Sequence, residues 1–94
     1  MEKTLWYLLT GMRGGRNRVR IVEALRERPR NANQLAEALD LDYKTVRHHL
    51  DVLADHDVVE SEGEGYGETY FVTDGFEVHS EVFDEIKRNM EDHG

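Results

Sequence analysis

Residues 31–60 read NANQLAEALDLDYKTVRHHLDVLADHDVVE, and their punctuation decides the fold. Asn31 reads as a helix cap, with Gln34 three residues on in a variant of the capping box, ahead of the apolar Leu35, Ala36 and Leu39. Asp40, Leu41 and Asp42 form a three-residue turn, and Asp42 can cap a second helix from Tyr43 to about Asp55. In that helix Val46, Leu50 and Leu53 recur at the spacing of one inward face. Two short helices across a tight turn make a helix-turn-helix unit.

Upstream, Ile21, Val22 and Leu25 with Ala24 predict a helix that starts from a cap at Asn17 and ends at Pro29. Leu5, Trp6, Leu8, Leu9 and Met12 are spaced for a helix, although so short and aromatic a run also suits a strand; Gly11 and Gly14-Gly15 break it. Downstream, Val58 and Val59 open a β segment, Gly63, Gly65 and Gly67 bracket a flexible tip, and Thr69–Val72 are strong strand formers, which together predict a hairpin. From Gly75 onward Phe76, Phe83, Ile86 and Met90, with Val78 and Val82, predict one last amphipathic helix.

With 94 residues, 38% hydrophobic content and one proline, the chain supports one compact core and no second domain. The absence of cysteine excludes a disulfide framework, a thiolate nucleophile and thiolate metal sites. The longest apolar run, Leu5–Leu9, falls far short of the roughly 20 residues of a membrane span, and no leader pattern precedes it. A cytoplasmic protein with no membrane partner is the expectation. The net charge of −8 speaks against nucleic acid until it is divided: residues 1–50 carry ten bases against six acids, residues 51–94 two against fourteen. Three lysines against nine arginines, amid abundant acids, suit a salt-loving source.

Helix, helix, turn, helix, hairpin, helix is the order of a winged helix. Residues 31–60 resemble the core of ArsR-like winged helix-turn-helix transcription regulators, in particular the small ones of haloarchaea. The likeness spans about residues 14–73 and is most specific in Leu35-Ala36, Leu39, Leu41 and Thr45-Val46-x-x-His49-Leu50-x-x-Leu53. The resemblance implies sequence-specific binding of double-stranded DNA by a homodimer, with the second helix of the unit in the major groove. The fold expected is α+β, mostly α: one winged domain over residues 1–94, a two-stranded wing, and flanking dimerisation helices over 1–12 and 75–92.

Helix physics supports that use. With Val46, Leu50 and Leu53 inward, the opposite face offers Tyr43, Lys44, Arg47, His48 and Asp51, with Thr45 at its flank. Arg47 can fork onto a guanine, Lys44 can meet a guanine or a phosphate, and Tyr43, Thr45 and His48 can donate to phosphates or bases. Asn31, Asn33 and Gln34 open the preceding helix, whose free amides can grip a phosphate. Arg13, Arg16 and Arg30 are the candidate phosphate contacts; Arg16, Arg20, Glu23 and Glu27 can instead pair along one helical face.

The chain departs from the family twice. Asp40 and Asp57 stand where relatives carry glycine, so both are expected in the left-handed conformation. The wing carries Glu60, Glu62, Glu64 and Glu68 and no base. A metal site has little support: Glu77-x-His79 begins a pattern that fails at Met90 and leaves His93 without a companion, while His49 reads as a packing histidine. No cofactor is expected, nothing marks an effector, and no catalytic arrangement is discernible; Gly63-x-Gly65-x-Gly67 joins two strands and is a hairpin tip, not a nucleotide loop. Leu5, Trp6, Leu9, Phe83, Ile86 and Met90 exceed what a small winged helix can cover and are assigned to the dimer interface, the alternative being that the first and last helices pack on each other within a monomer. A different class stays open beside this reading: a winged helix that binds proteins of the transcription machinery through its acidic wing and last helix.

Overall fold

A computed structural model describes residues 1–93, and the side chains of residues 1–92. Helix α1, Glu2–Trp6, continues as a wider π-helical stretch, Tyr7–Gly11. Then follow α2 (Gly15–Glu27), β1 (Arg30–Asn31), α3 (Ala32–Leu39), α4 (Tyr43–Asp55), β2 (Val59–Glu62), β3 (Thr69–Val72), α5 (Asp74–Val78) and α6 (Ser80–His93). The strands form one antiparallel sheet in the order β1-β3-β2, with Ser61 opposite Tyr70 in the wing and Arg30 opposite Tyr70 on the other side. This is a winged helix-turn-helix. The hairpin is joined by a third strand, β1, which at two residues is too short to leave a periodic signal.

The decisive turn is built as its sequence predicts. Asn31 and Gln34 close the capping box with two hydrogen bonds of 2.8 Å, Asp40 turns left-handed at φ 54°, and the Asp42 carboxylate accepts from the amides of Lys44 and Thr45 at 3.1 and 3.3 Å. Asp57 ends α4 at φ 61°.

Two boundaries differ. Helix α2 starts at Gly15, not after Asn17, because Gly14 turns the chain at φ 84°, while Asn17 lies inside the first turn and accepts from Arg20 at 3.1 Å. A Cβ on Gly15 would lie 1.9 Å from the Leu9 carbonyl oxygen, so the glycine pair lets the first helix lie against the start of α2. The single last helix is two. Thr73 caps α5 through the Phe76 amide at 3.0 Å, and the chain breaks at His79, whose ring bonds the Gly75 carbonyl at 3.0 Å. The break sets Phe76 edge-on to Phe83, ring centroids 5.4 Å apart. The side chain of His93 lies outside the described residues.

The core corrects the dimer assignment. Leu5, Leu9, Phe83 and Ile86 are at most 1% exposed within the single chain, because α1 and α6 pack on each other and on the rest of the domain. They hold the protomer together and are not available to a partner. Trp6 and Met90 alone of the six keep part of their surface.

Inside this core lies a cation that no apolar periodicity marks as buried. Arg18 is 1% exposed. Its Nε donates to the Leu8 carbonyl at 2.8 Å, one Nη to the Arg13 carbonyl, and the other to Nδ1 of His49 at 3.0 Å. Since a guanidinium only donates, His49 accepts at Nδ1 and carries its proton on Nε2. Burial, then the Arg18 charge, then His48 hold His49 below its usual pKa of 6.5. A Cβ on Gly14 would come within 2.5 Å of the His49 ring, so the left-handed glycine also makes room for this contact.

Two outcomes are expected. Asp57→Gly removes left-handed strain at an exposed residue and stabilises the fold by about 0.5–1 kcal/mol, raising Tm by about 4 °C; an unchanged or lower Tm counts against the strain. Because the folded state resists protonating His49 while the unfolded chain protonates it near 6.5, stability is full above that pH and declines as pH falls below it toward the depressed folded value. Urea midpoints should therefore drop from pH 7.5 to 5.5 in the native chain and much less in His49→Gln; equal slopes refute the assignment.

Candidate nucleic-acid interface

Helix α4 presents its N-terminal half to solvent because Val46, Leu50 and Leu53, all fully buried, fix its other side to the core. Lys44 and His48 are exposed; Tyr43, Thr45 and Arg47 are half-buried. Asn33 at the start of α3 faces the same cleft as Tyr43 and Arg47, and Gln34 is exposed although its side-chain oxygen is engaged by the Asn31 amide. The capping box thus already occupies the Gln34 amide, one of those expected to grip phosphate, and the Asp42 cap occupies the Lys44 and Thr45 amides of α4.

Arg47 departs from expectation. It does not reach out from α4 but lies in the cleft between that helix and the wing, with Glu68 at 3.8 Å and Asp51 at 3.9 Å. The Tyr43 hydroxyl, foremost, holds the Arg47 guanidinium above the ordinary pKa. Glu68 accepts from the Ser61 hydroxyl at 2.6 Å, and that bond, more than the Tyr70 hydroxyl and the Arg47 charge, keeps the carboxyl below the usual carboxylate range. Burial and Glu68 together push the Tyr70 hydroxyl up to about 12. Above the cleft the wing tip turns through Gly65–Gly67, placing Tyr66, 76% exposed, with its ring 6.2 Å from that of Tyr43. Nothing in the periodicity of the hairpin marked Tyr66 or Glu68 as partners of α4; the register that aligns Ser61 with Tyr70 brings them there.

The arginines divide. Arg30 is engaged within the protomer, donating to the Ala24 carbonyl at 3.2 Å and pairing with Glu27 at 3.0 Å, so a phosphate there would have to compete with these partners. Arg13 is exposed in the loop beside α4's buried His49. Arg16 lines the grooves shared by α2 and α6 with Met90, away from the α3–α4 face. The expected pairing of Arg16 and Arg20 with Glu23 and Glu27 does not form: Arg20 donates to the Leu39 carbonyl at 2.6 Å, and Glu23 pairs with Lys87 at 2.6 Å.

No helix among the described residues is long and apolar enough to cross a membrane. Residues 16–61, from α2 into β2, match the family described as "Bacterial regulatory protein, arsR family". No curated protein sequence matches the chain. Among solved structures it is similar to the homodimeric winged helix-turn-helix DNA-binding domain of Mb0332 from Mycobacterium bovis, described as a possible ArsR-family transcriptional regulator (TM-score 0.72, 22% identity, 97% of this chain and 79% of that one). It is also similar to the transcriptional regulator HlyU of Vibrio vulnificus (0.62, 20%, 83% and 76%) and the adhesin competence repressor of Streptococcus pyogenes (0.66, 15%, 97% and 68%). At these identities the likeness is one of fold. Residues 16–61 are thus similar to the arsR family of regulatory proteins, and the fold around them is that of a winged helix-turn-helix.

Proposed function

We propose that the chain is a homodimeric transcription regulator, not an enzyme, that reads double-stranded DNA by laying α4 in the major groove. The observation that carries this is the N-terminal half of α4: an exposed polar rim, rigidly backed by buried Val46, Leu50 and Leu53, on a helix narrow enough for the roughly 12 Å groove. The exposed Lys44 and His48 meet base edges or phosphates, with the half-buried Tyr43 and Thr45 beside them. Arg47 joins once it leaves its cleft. Asn33, Gln34 and Arg13 supply positioning contacts at the edge of the footprint. The acid-rich, lysine-poor composition fits a salt-loving archaeal source and a cytoplasmic protein.

The partner copy is placed on the face made by α1, α2 and α6. There Met90 forms a ridge between two grooves, one with Trp6, Thr10 and Asn89, the other with Arg16, Val19 and Lys87. A ridge beside a groove is self-complementary under a two-fold axis. The homodimeric state of the Mycobacterium bovis domain supports the pairing. Two recognition helices about 34 Å apart then meet half-sites about 10 base pairs apart.

Selection from fragmented genomic DNA should recover palindromic sites, and Lys44→Ala with His48→Ala should weaken binding to them by about tenfold or more. Undiminished retention of DNA by that double variant would move the reading to a protein-binding winged helix. Sedimentation equilibrium at micromolar concentration should give a dimer, and Met90→Glu a monomer with unchanged far-ultraviolet circular dichroism. A monomeric native chain would overturn the pairing.

A further inference from the structure

Resting on the DNA-binding reading, we infer that Glu68 determines specificity by holding Arg47 out of reach of the phosphate backbone until α4 is seated in the groove. Glu68 is the last residue before β3 and the one wing acid that does not face open solvent. Its Oε2 is anchored by the Ser61 hydroxyl at 2.6 Å, and its Oε1 lies 3.8 Å from Nη1 of Arg47. Arg47 is bracketed on its other side by Asp51, one helical turn along, at 3.9 Å. The guanidinium therefore has two carboxylates where a bound duplex would offer phosphate oxygens.

An anion in that place has a definite consequence. A passing duplex attracts an exposed arginine regardless of sequence, since the phosphate term is indifferent to bases. With Glu68 as the resident anion, a phosphate gains only the difference between two anionic partners. A guanine edge, which offers two acceptors in the plane of the guanidinium, recovers more. The wing acid thus taxes non-specific binding through one side chain, whereas the exposed Glu60, Glu62 and Glu64 act only by their distant charge, which salt screens.

A double-mutant cycle tests this, with fluorescence anisotropy of a labelled 30-base-pair duplex of random sequence at moderate salt. Glu68→Gln, isosteric and still able to bond Ser61, should tighten binding at least threefold, and Glu64→Gln, the same charge change at an exposed place, less than 1.5-fold. In an Arg47→Ala background the gain from Glu68→Gln should vanish. Ser61→Ala keeps the charge but releases its anchor, so it should give an intermediate gain and serves if Glu68→Gln folds poorly. A gain that persists without Arg47, or equals that of Glu64→Gln, overturns the inference while Lys44→Ala still weakens binding and so preserves the DNA reading. If neither the native chain nor any variant binds the duplex or a selected genomic fragment, both fall together.

Discussion

The arrangement rests on one buried cation. Arg18 has no carboxylate partner among the described residues, and its charge is met by two backbone carbonyls and an imidazole. Burying a guanidinium this way is tolerable only if its donors are satisfied, because each unmet one carries its full desolvation cost. The three acceptors belong to the end of the first helix, the loop before α2, and the middle of α4. Losing any of them leaves the cation poorly paired, so the N-terminal helix and α4 are fixed to one another through α2. Gly14 and Gly15 exist for the same joint, one clearing the His49 ring and the other the Leu9 carbonyl. The putting together of α1, α2 and α4 is thus a polar constraint laid through an apolar core.

Arginine does a second structural job here. Arg18 takes the Leu8 carbonyl near the end of the first helix, Arg30 the Ala24 carbonyl near the end of α2, and Arg20 the Leu39 carbonyl at the end of α3. The last carbonyls of a helix lack partners within it and lie at the negative end of its dipole, where a cation is favoured twice over. Arg26 has yet another duty, lying over Phe76 and Phe83 while pairing with Asp84 at 2.9 Å. Five of the ten bases of the first fifty residues, Arg18, Arg20, Arg26, Arg30 and Arg47, are therefore engaged inside the protomer. A count of charges along the chain measures neither how many project nor in which direction.

That difference marks what was legible in the sequence. The capping box at Asn31, the aspartate cap at Asp42, the left-handed Asp40 and Asp57 and the extent of α4 all follow from local chemistry, in which a residue acts on amides within four positions of itself. The wing follows from strand formers around a glycine-rich tip. What escaped depends on distant partners. Phe83 and Ile86 look like unpartnered apolar surface until α1 and α6 are laid against each other, and Arg18 looks like its neighbours until α2 is rotated in place. Arg47 lies on the predicted face of the predicted helix, yet the hairpin register puts Glu68 beside it. Periodicity assigns a face; tertiary packing decides what already occupies it.

The same fact bears on how such a surface discriminates. The Asp42 carboxylate takes the Lys44 and Thr45 amides at the positive end of α4, and the Asn31 box takes the Gln34 amide at α3, so the helix termini keep fewer amides for a phosphate. Arg47 is shielded from one side by Asp51 and from the other by Glu68. With the sequence-blind attractions muted, the exposed Lys44 and His48 and the shape of a helix rigidly backed by its core carry proportionally more of any binding energy. On the proposed DNA-binding reading, an acidic chain bearing −8 overall binds a polyanion only where the groove supplies hydrogen bonds that repay the approach, and that requirement is itself a filter for sequence.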